Sequence, residues 1–438
     1  MAERFLCDLP LGKRSQNIIN RDKKIVSGCT TRDLSIVIKD GKGCYLTDVE
    51  GRRYLDFGAG IAVMNVGHAN PEVLAAVRKQ ANHMTHAGFA DFYHELPVRF
   101  AETLVKTINH PNLNNVFLSN SGTEAVEGSY KCARWHTKKK RVIAFNGCFH
   151  GRTMGSLSMT NSKKVQRERY APFLPVTHVP YPYWYRMKME PEDASNFCLD
   201  KLENSMKKNN DTAALFMETI QGEGGYVVPP KSFVKGVRKL CTKYNILYCD
   251  DEVQSGGFRT GKFLAIDNFG VTPDIVSMAK SIGGGMPLGA TISSRKIMDW
   301  VPGAHSNTFG GNLVSCAAGI AALNYMKKKK LGQNAHKIGK LIMKRLEEMK
   351  EQYEIIGDVR GLGLMIGIEI VKDKKSRTPS VQERDAIQCE AARKGMILLG
   401  AGKSVIRFCP PLVITKQEAE KGMDIFEESV RKVSFNSY

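Results

Sequence analysis

Asn245-Ile-Leu-Tyr-Cys-Asp250-Asp251-Glu252-Val-Gln254 is an apolar run of strand type that ends abruptly in three acids. A second stretch, Asp274-Ile-Val-Ser-Met-Ala-Lys280-Ser-Ile-Gly-Gly-Gly285-Met-Pro-Leu-Gly289, is another apolar run, ending in a single lysine and then a glycine cluster. In an open α/β sheet, ligands sit off the carboxyl ends of the strands. An acid and a lysine placed there can face one small molecule. A lysine among apolar neighbours tends to lose its proton, and the free amine attacks carbonyls. A carboxylate nearby can hold a protonated ring nitrogen. Lys280 and Asp251 together point to pyridoxal phosphate, which takes a lysine Schiff base and an acid on its pyridinium nitrogen.

Around these two runs, strand and helix patterns alternate. Val116–Leu118 precedes a helix expected over Thr123–His136, followed by strands at Val142–Phe145 and Ala213–Met217. A helix near Phe233–Tyr244 then leads to strands at Ile246–Cys249 and Ile275–Met278. Such alternation implies a mostly parallel sheet covered on both faces. The polar and aromatic segment from Pro180 to Asp211 reads as an excursion outside the sheet. Residues 36–57 read as short strands joined by glycine turns. Beyond about residue 325 come a long basic helix (Ala335–Tyr353), strands at Gly363–Val371, a helix near Gln382–Lys394, strands near Ile397 and Val405–Phe408, and a last helix from Lys416. That end reads as a smaller α+β domain.

The composition narrows the function. At 438 residues, two domains are the natural expectation. Met1-Ala-Glu-Arg-Phe-Leu-Cys-Asp8 holds no apolar run fit for a signal peptide, and no stretch approaches a membrane span. Eleven cysteines without a C-x-x-C pair read as free thiols in a reducing cytoplasm. No H-E-x-x-H is present, so no metal site is expected. The net charge is +20, much of it in Lys138-Lys139-Lys140-Arg141, Lys207-Lys208 and Lys327-Lys328-Lys329-Lys330. Along the chain these runs lack the interleaved aromatics of a nucleic-acid groove, so a basic surface attracting anionic substrates is the preferred reading.

Several loops add candidates. Ser119-Asn120-Ser121-Gly122-Thr123-Glu124 follows a strand and opens a helix, where free N–H groups favour a phosphate; read alone, the plain cap is the preferred reading. Phe149-His150-Gly151-Arg152-Thr153 offers a ring to stack on a flat cofactor and an arginine for a carboxylate, or else a turn with a surface arginine. Glu218-Thr-Ile-Gln-Gly-Glu223 could bind a metal, cap helices or hold an arginine such as Arg407 in Ile406-Arg407-Phe408-Cys-Pro-Pro.

Taken in order, these motifs resemble the class III pyridoxal-phosphate aminotransferases, which include the ornithine, acetylornithine and 4-aminobutyrate enzymes. The likeness runs from about Asp48 to Ile414. It is carried by Gly60-Ile61, Asn120-Ser-Gly-Thr-Glu-Ala, Phe149-His-Gly-Arg-Thr, Gln221-Gly-Glu-Gly-Gly, Asp251-Glu-Val-Gln, Ala279-Lys280, Asn307-Thr308-Phe-Gly-Gly-Asn312 and Arg360-Gly-Leu-Gly-Leu. The resemblance implies an α/β enzyme of fold-type I. A large cofactor domain is expected over 66–325, and a small α+β domain from an N-terminal segment (1–65) and a C-terminal part (326–438). It implies that Lys280 holds the cofactor and shuttles the proton, Asp251 binds the ring nitrogen, and Gln254 the phenolic oxygen. Phe149 would stack on the ring with His150 beside it, and Ser121, Gly122 and Thr123 would hold the phosphate. Thr308 would reach the phosphate of a neighbouring subunit, making a homodimer or larger. Arg407 would take the α-carboxylate of glutamate or 2-oxoglutarate and Arg152 the distal one, with Glu223 covering Arg407 when another substrate is present.

Three departures stand out. Gly257-Phe258 precedes Arg259-Thr260-Gly261 where the family usually has Phe-Gly. Thr219 follows Glu218 where proline is usual. Ile61, at a substrate-facing position, replaces the tyrosine of ornithine aminotransferases. The expected reaction is transfer of an amino group from an ω-amino acid to 2-oxoglutarate. The alternative is amino-acid racemisation, known in the same family. Membrane and nucleic-acid partners are not expected.

Overall fold

A computed structural model describes residues 9–435; the N-terminal stretch 1–8, read above for a leader, lies outside them. The central sheet has seven strands in the spatial order Asn115–Ser119, Gly289–Ser293, Ile275–Met278, Leu247–Asp251, Thr212–Met217, Arg141–Phe145 and Val176–Val179. Gly289–Ser293 runs antiparallel to both of its neighbours and the other six are mutually parallel. Every residue of Thr212–Met217 and of Gly289–Ser293 is buried, as strands covered on both faces require. The strand quoted at the outset continues into the acids, so Asp250 and Asp251 belong to it.

The helix Gly122–Thr137 crosses this sheet. Its start is fixed locally. The Ser121 hydroxyl accepts from Glu124 N at 3.3 Å, and the Glu124 carboxylate returns to Asn120 N at 2.6 Å. It stops at Lys138, whose left-handed backbone (φ 58°) turns the chain out.

The segment 180–211 is corrected by the structure. Its helix Pro191–Lys208 is the crossover that packs on the Lys231–Lys243 helix and the outer strand of the sheet. Ala194, Cys198, Leu202 and Met206 recur every fourth residue and are all buried. Four strands escape the linear reading: Val176–Val179, Gly289–Ser293, Ile356–Leu362 and Leu399–Ala401.

Two further sheets flank the first. Ile38–Lys42, Tyr45–Asp48 and Arg53–Asp56 are joined by Met396–Ile397, which pairs parallel to the third, Leu55 opposite Met396. Ile356–Leu362, Met365–Ile370, Val405–Phe408 and Leu399–Ala401 form an antiparallel sheet covered by the helices Leu331–Gln352, Val381–Arg393 and Lys416–Phe435. Arg259, fully buried, ties the segments together: its guanidinium donates to Asn65 Oδ1, to Leu364 O at 3.1 Å and to Pro410 O at 2.5 Å. The inverted Gly257-Phe258 pair places both residues at positive φ (68° and 67°), with Phe258 packed edge-on to Phe263, 5.1 Å between ring centroids. Among the described residues no helix is long and apolar enough to cross a membrane, and none of the ten described cysteines forms a disulfide.

Candidate active site

The carboxyl ends of five parallel strands converge on one cavity of about 480 Å³. Its wall includes Ser121, Gly122 and Thr123 after Asn115–Ser119, Phe149, His150 and Arg152 after Arg141–Phe145, and Glu218 after Thr212–Met217. Asp251, Val253 and Gln254 follow Leu247–Asp251, and Lys280 follows Ile275–Met278. The sheet thus brings nine of the expected residues to one place. Glu223 and Arg407 form an ion pair at 3.2 Å. Ile61 and Thr308 are exposed and lie outside this cavity.

Lys280 is held at φ +50°, a left-handed conformation that costs a lysine about 1 kcal/mol or more. It lies half-buried at the cavity wall. Crowding of its amine by surrounding atoms lowers its pKa; Asp251 opposes the shift, and Arg407 adds to it. The shift favours the neutral amine, the form a carbonyl nucleophile requires.

Asp251 is buried, and one carboxylate oxygen lies 2.7 Å from His150 Nδ1 while the other accepts from Val253 N at 3.0 Å. Both contacts fix its plane. Behind it, burial first, and then the Glu252 charge, push Asp250 well above the usual carboxylate range. Asp250 Oδ1 accepts from the Thr219 hydroxyl at 2.7 Å. This gives the unusual Thr219 a purpose, since a proline there would have no donor for the buried acid.

Glu218 is a wall residue that the sequence reading did not place in the site. It accepts from Phe149 N at 2.8 Å and Gly222 N at 2.9 Å, so it pins two of the loops that line the cavity. Burial raises its pKa to about 7, with His150 opposing and Asp251 contributing. Because this pKa lies above the ordinary 4.5, the protonated form suits the folded state. Its contribution is full below about pH 4.5 and lost as pH rises through about 7. Glu218→Gln is therefore expected to flatten the fall in stability across that window, measured by urea unfolding at a series of pH values. An unchanged slope would count against the buried neutral acid.

Lys163 was also missed. Its Nζ lies 2.6 Å from Glu223 Oε1, so the carboxylate is shared between Lys163 and Arg407. No local motif marks a lysine in Asn161-Ser-Lys163 as a partner for an acid sixty residues away.

The cavity fits pyridoxal phosphate on features of its own. Gln254 Oε1, His150 Nε2 and Arg407 Nε are buried without hydrogen-bond partners. The start of helix Gly122–Thr137 supplies free N–H groups, and its Gly122 has no room for a side chain: a Cβ there would lie 2.6 Å from Val253 Cγ1. Arg152 lies with its guanidinium carbon 5.8 Å from the Phe149 ring centre.

Comparison with known proteins agrees. The family model described as Aminotransferase class-III matches residues 27–430. A probable 4-aminobutyrate aminotransferase of Bacillus subtilis is 36% identical over 420 residues, covering 94% of this chain and 96% of its own. An alanine/serine racemase of Pyrococcus horikoshii is 38% identical over 436 residues, covering 96% and 91%. Among solved structures, taurine:2-oxoglutarate aminotransferase from Bifidobacterium kashiwanohense, in complex with PLP and glutamate, superposes with a TM-score of 0.90 at 27% identity, covering 98% of this chain and all of that one. The fold is that of a fold-type I pyridoxal-phosphate enzyme. Within that class, the chain belongs to the class III aminotransferases, and pyridoxal 5'-phosphate is its cofactor.

Proposed function

We propose that this enzyme moves an amino group from an ω-amino acid, of the 4-aminobutyrate, ornithine or lysine kind, to 2-oxoglutarate, giving glutamate and a semialdehyde. The Glu223–Arg407 pair carries this reading. An arginine covered by a movable acid lets one site take a dicarboxylic acid in one half-reaction and an amine in the other. Neither half-reaction then leaves a buried charge unpaired.

When bound, pyridoxal phosphate supplies an electron sink for the charge left on carbon as a proton departs. Lys280 would hold the cofactor through its amine, and the same amine would carry the proton as general base and acid. Asp251, oriented by His150, keeps the ring nitrogen cationic. Gln254 donates to the phenolic oxygen, Phe149 stacks on the ring, and Ser121, Gly122 and Thr123 cradle the phosphate. Arg407 takes the α-carboxylate and Arg152 the distal one, while Ile61 borders the donor. The working unit is a homodimer or larger, with Thr308, exposed on one chain, reaching the phosphate of its neighbour.

A panel of 4-aminobutyrate, ornithine, acetylornithine and lysine, each with 2-oxoglutarate, is expected to yield glutamate from at least one donor; none from any would refute the assignment. Arg407→Ala is expected to raise KM for 2-oxoglutarate by roughly 100-fold, the loss of one charged hydrogen-bonded contact. The half-reaction with the ω-amine should suffer far less. Equal damage to both halves would remove the switch from the account.

The racemase relative supports a second reading. The same residues suffice if the proton returns to the opposite face of Cα. Deuterium uptake into a single amino acid with loss of optical activity, and no need for a keto acid, would favour it.

A further inference from the structure

The Lys138-Lys139-Lys140 run takes no part in the site above. In the folded chain it lies at the far end of helix Gly122–Thr137 from the cavity, a separation of about 24 Å for sixteen residues at 1.5 Å each. There the structure forms a cleft of about 350 Å³ between the helix end and Trp300. Trp135 precedes the run by three residues, and folding brings a second indole, Trp300, to it. Trp135 lines the cleft with 44% of its surface exposed, its indole N–H anchored on Asp299 O at 3.3 Å. Trp300 comes from a separate loop and is held edge-on to Phe117 at 5.6 Å.

Among the described residues the cations of the cleft form no ion pair with an acid. Lys131 Nζ meets His305 Nδ1 at 2.9 Å, and burial keeps that imidazole's pKa below its ordinary value. Arg134 donates to the Tyr130 hydroxyl at 2.8 Å, and its Nε is buried with no hydrogen-bond partner among the described residues. Lys139 Nζ donates to a backbone carbonyl, Asn245 O, at 3.1 Å. Lys138 and Lys140 are exposed and in no ion pair among the described residues. Other lysine runs differ: Lys207 pairs with Glu203 and Lys328 with Glu72. Asp299, which precedes Trp300 in the chain, is engaged by His136 at 2.9 Å.

We propose that this cleft binds a free nucleoside polyphosphate, with the base stacked on Trp135 beside Trp300 and the phosphates on Lys131, Arg134, Lys138 and Lys140. Indoles give any base a stacking face. Unpaired ammonium and guanidinium groups suit several phosphate charges at once. The volume suits one nucleotide, whereas a strand needs successive aromatic platforms along a groove.

The test is titration of the cofactor-loaded enzyme with ATP, followed by tryptophan fluorescence and calorimetry. Saturable binding of one ATP per chain is expected. Trp135→Ala and the double variant Lys138→Gln/Lys140→Gln should each weaken it at least about tenfold, while adenosine and tripolyphosphate alone should each bind at least about tenfold less tightly. Turnover should be unchanged in both variants, since neither alters the cavity. The double variant changes only exposed side chains, so it answers the question even if Trp135→Ala folds poorly. No saturable binding overturns the proposal. So does tripolyphosphate binding as tightly as ATP with Trp135→Ala indifferent, which would mark a merely basic surface. Tighter binding of a single-stranded oligonucleotide than of ATP would assign the cleft to nucleic acid instead.

Discussion

Lys280→Ala is expected to lower turnover by roughly 10⁴-fold, the upper range for loss of a positioned proton-transfer group that also serves as nucleophile. The variant should also lose the visible absorbance that hydroxylamine discharges, because no amine remains to attach the cofactor's aldehyde. The structure makes Lys280 hard to replace. Its backbone is held at φ +50°, the surroundings of its amine lower its pKa, and Asp251 and Arg407 act on its charge from opposite signs. Lys280→Arg sharpens the experiment. It places a permanent cation beside Asp251 but offers no free amine near neutral pH, since a guanidinium does not deprotonate there. If only charge mattered, arginine would restore activity. If the amine matters, both variants should be equally inert. An active, coloured alanine variant would remove the assignment altogether.

Lys280 and Asp251 were legible because each breaks an apolar strand with a charge, and such breaks at carboxyl ends are where α/β sheets place ligands. Strand and helix alternation was legible for the same reason: buried parallel strands are nearly unbroken apolar runs. What escaped lacks that signature. Val176–Val179 is short and only Val179 is buried, while Gly289–Ser293 opens on a glycine and carries two hydroxyl residues. The helix Pro191–Lys208 hid because its buried stripe is only one residue in four, two of them small. The Glu223–Arg407 pair spans 184 positions. It could be expected only from the family's pattern, and Lys163 not at all, because an ion pair across loops leaves no mark on either local sequence. Likewise the Lys138–Lys140 run gains its aromatic neighbour Trp300 only from tertiary packing.

Asp251→Asn is the second large effect, and its contrast with Asp250→Asn tests the electrostatics of the site. The amide is nearly isosteric, so the His150 and Val253 contacts, at 2.7 and 3.0 Å, can survive and the fold should hold. What disappears is the negative charge. An opposite charge at close range shifts a pKa by about 1–3 units, so its removal should let the ring nitrogen lose its proton at neutral pH. With a neutral ring the electron sink weakens, and turnover should fall by roughly 100- to 1,000-fold while some cofactor still binds. Asp250 is the neighbour in the same strand, yet burial, with the Glu252 charge, holds its pKa well above the usual carboxylate range and so favours its neutral form. Asp250→Asn therefore exchanges one neutral group for another. The Thr219 hydroxyl, 2.7 Å away, can donate to the new amide oxygen as it did to the acid. The rate should stay within about threefold of the parent, well under 1 kcal/mol of barrier. Two acids side by side would then differ by two orders of magnitude in importance, for reasons of charge state alone. The reverse ranking, with Asp250→Asn the more damaging, would mean that the wrong carboxylate has been placed on the ring.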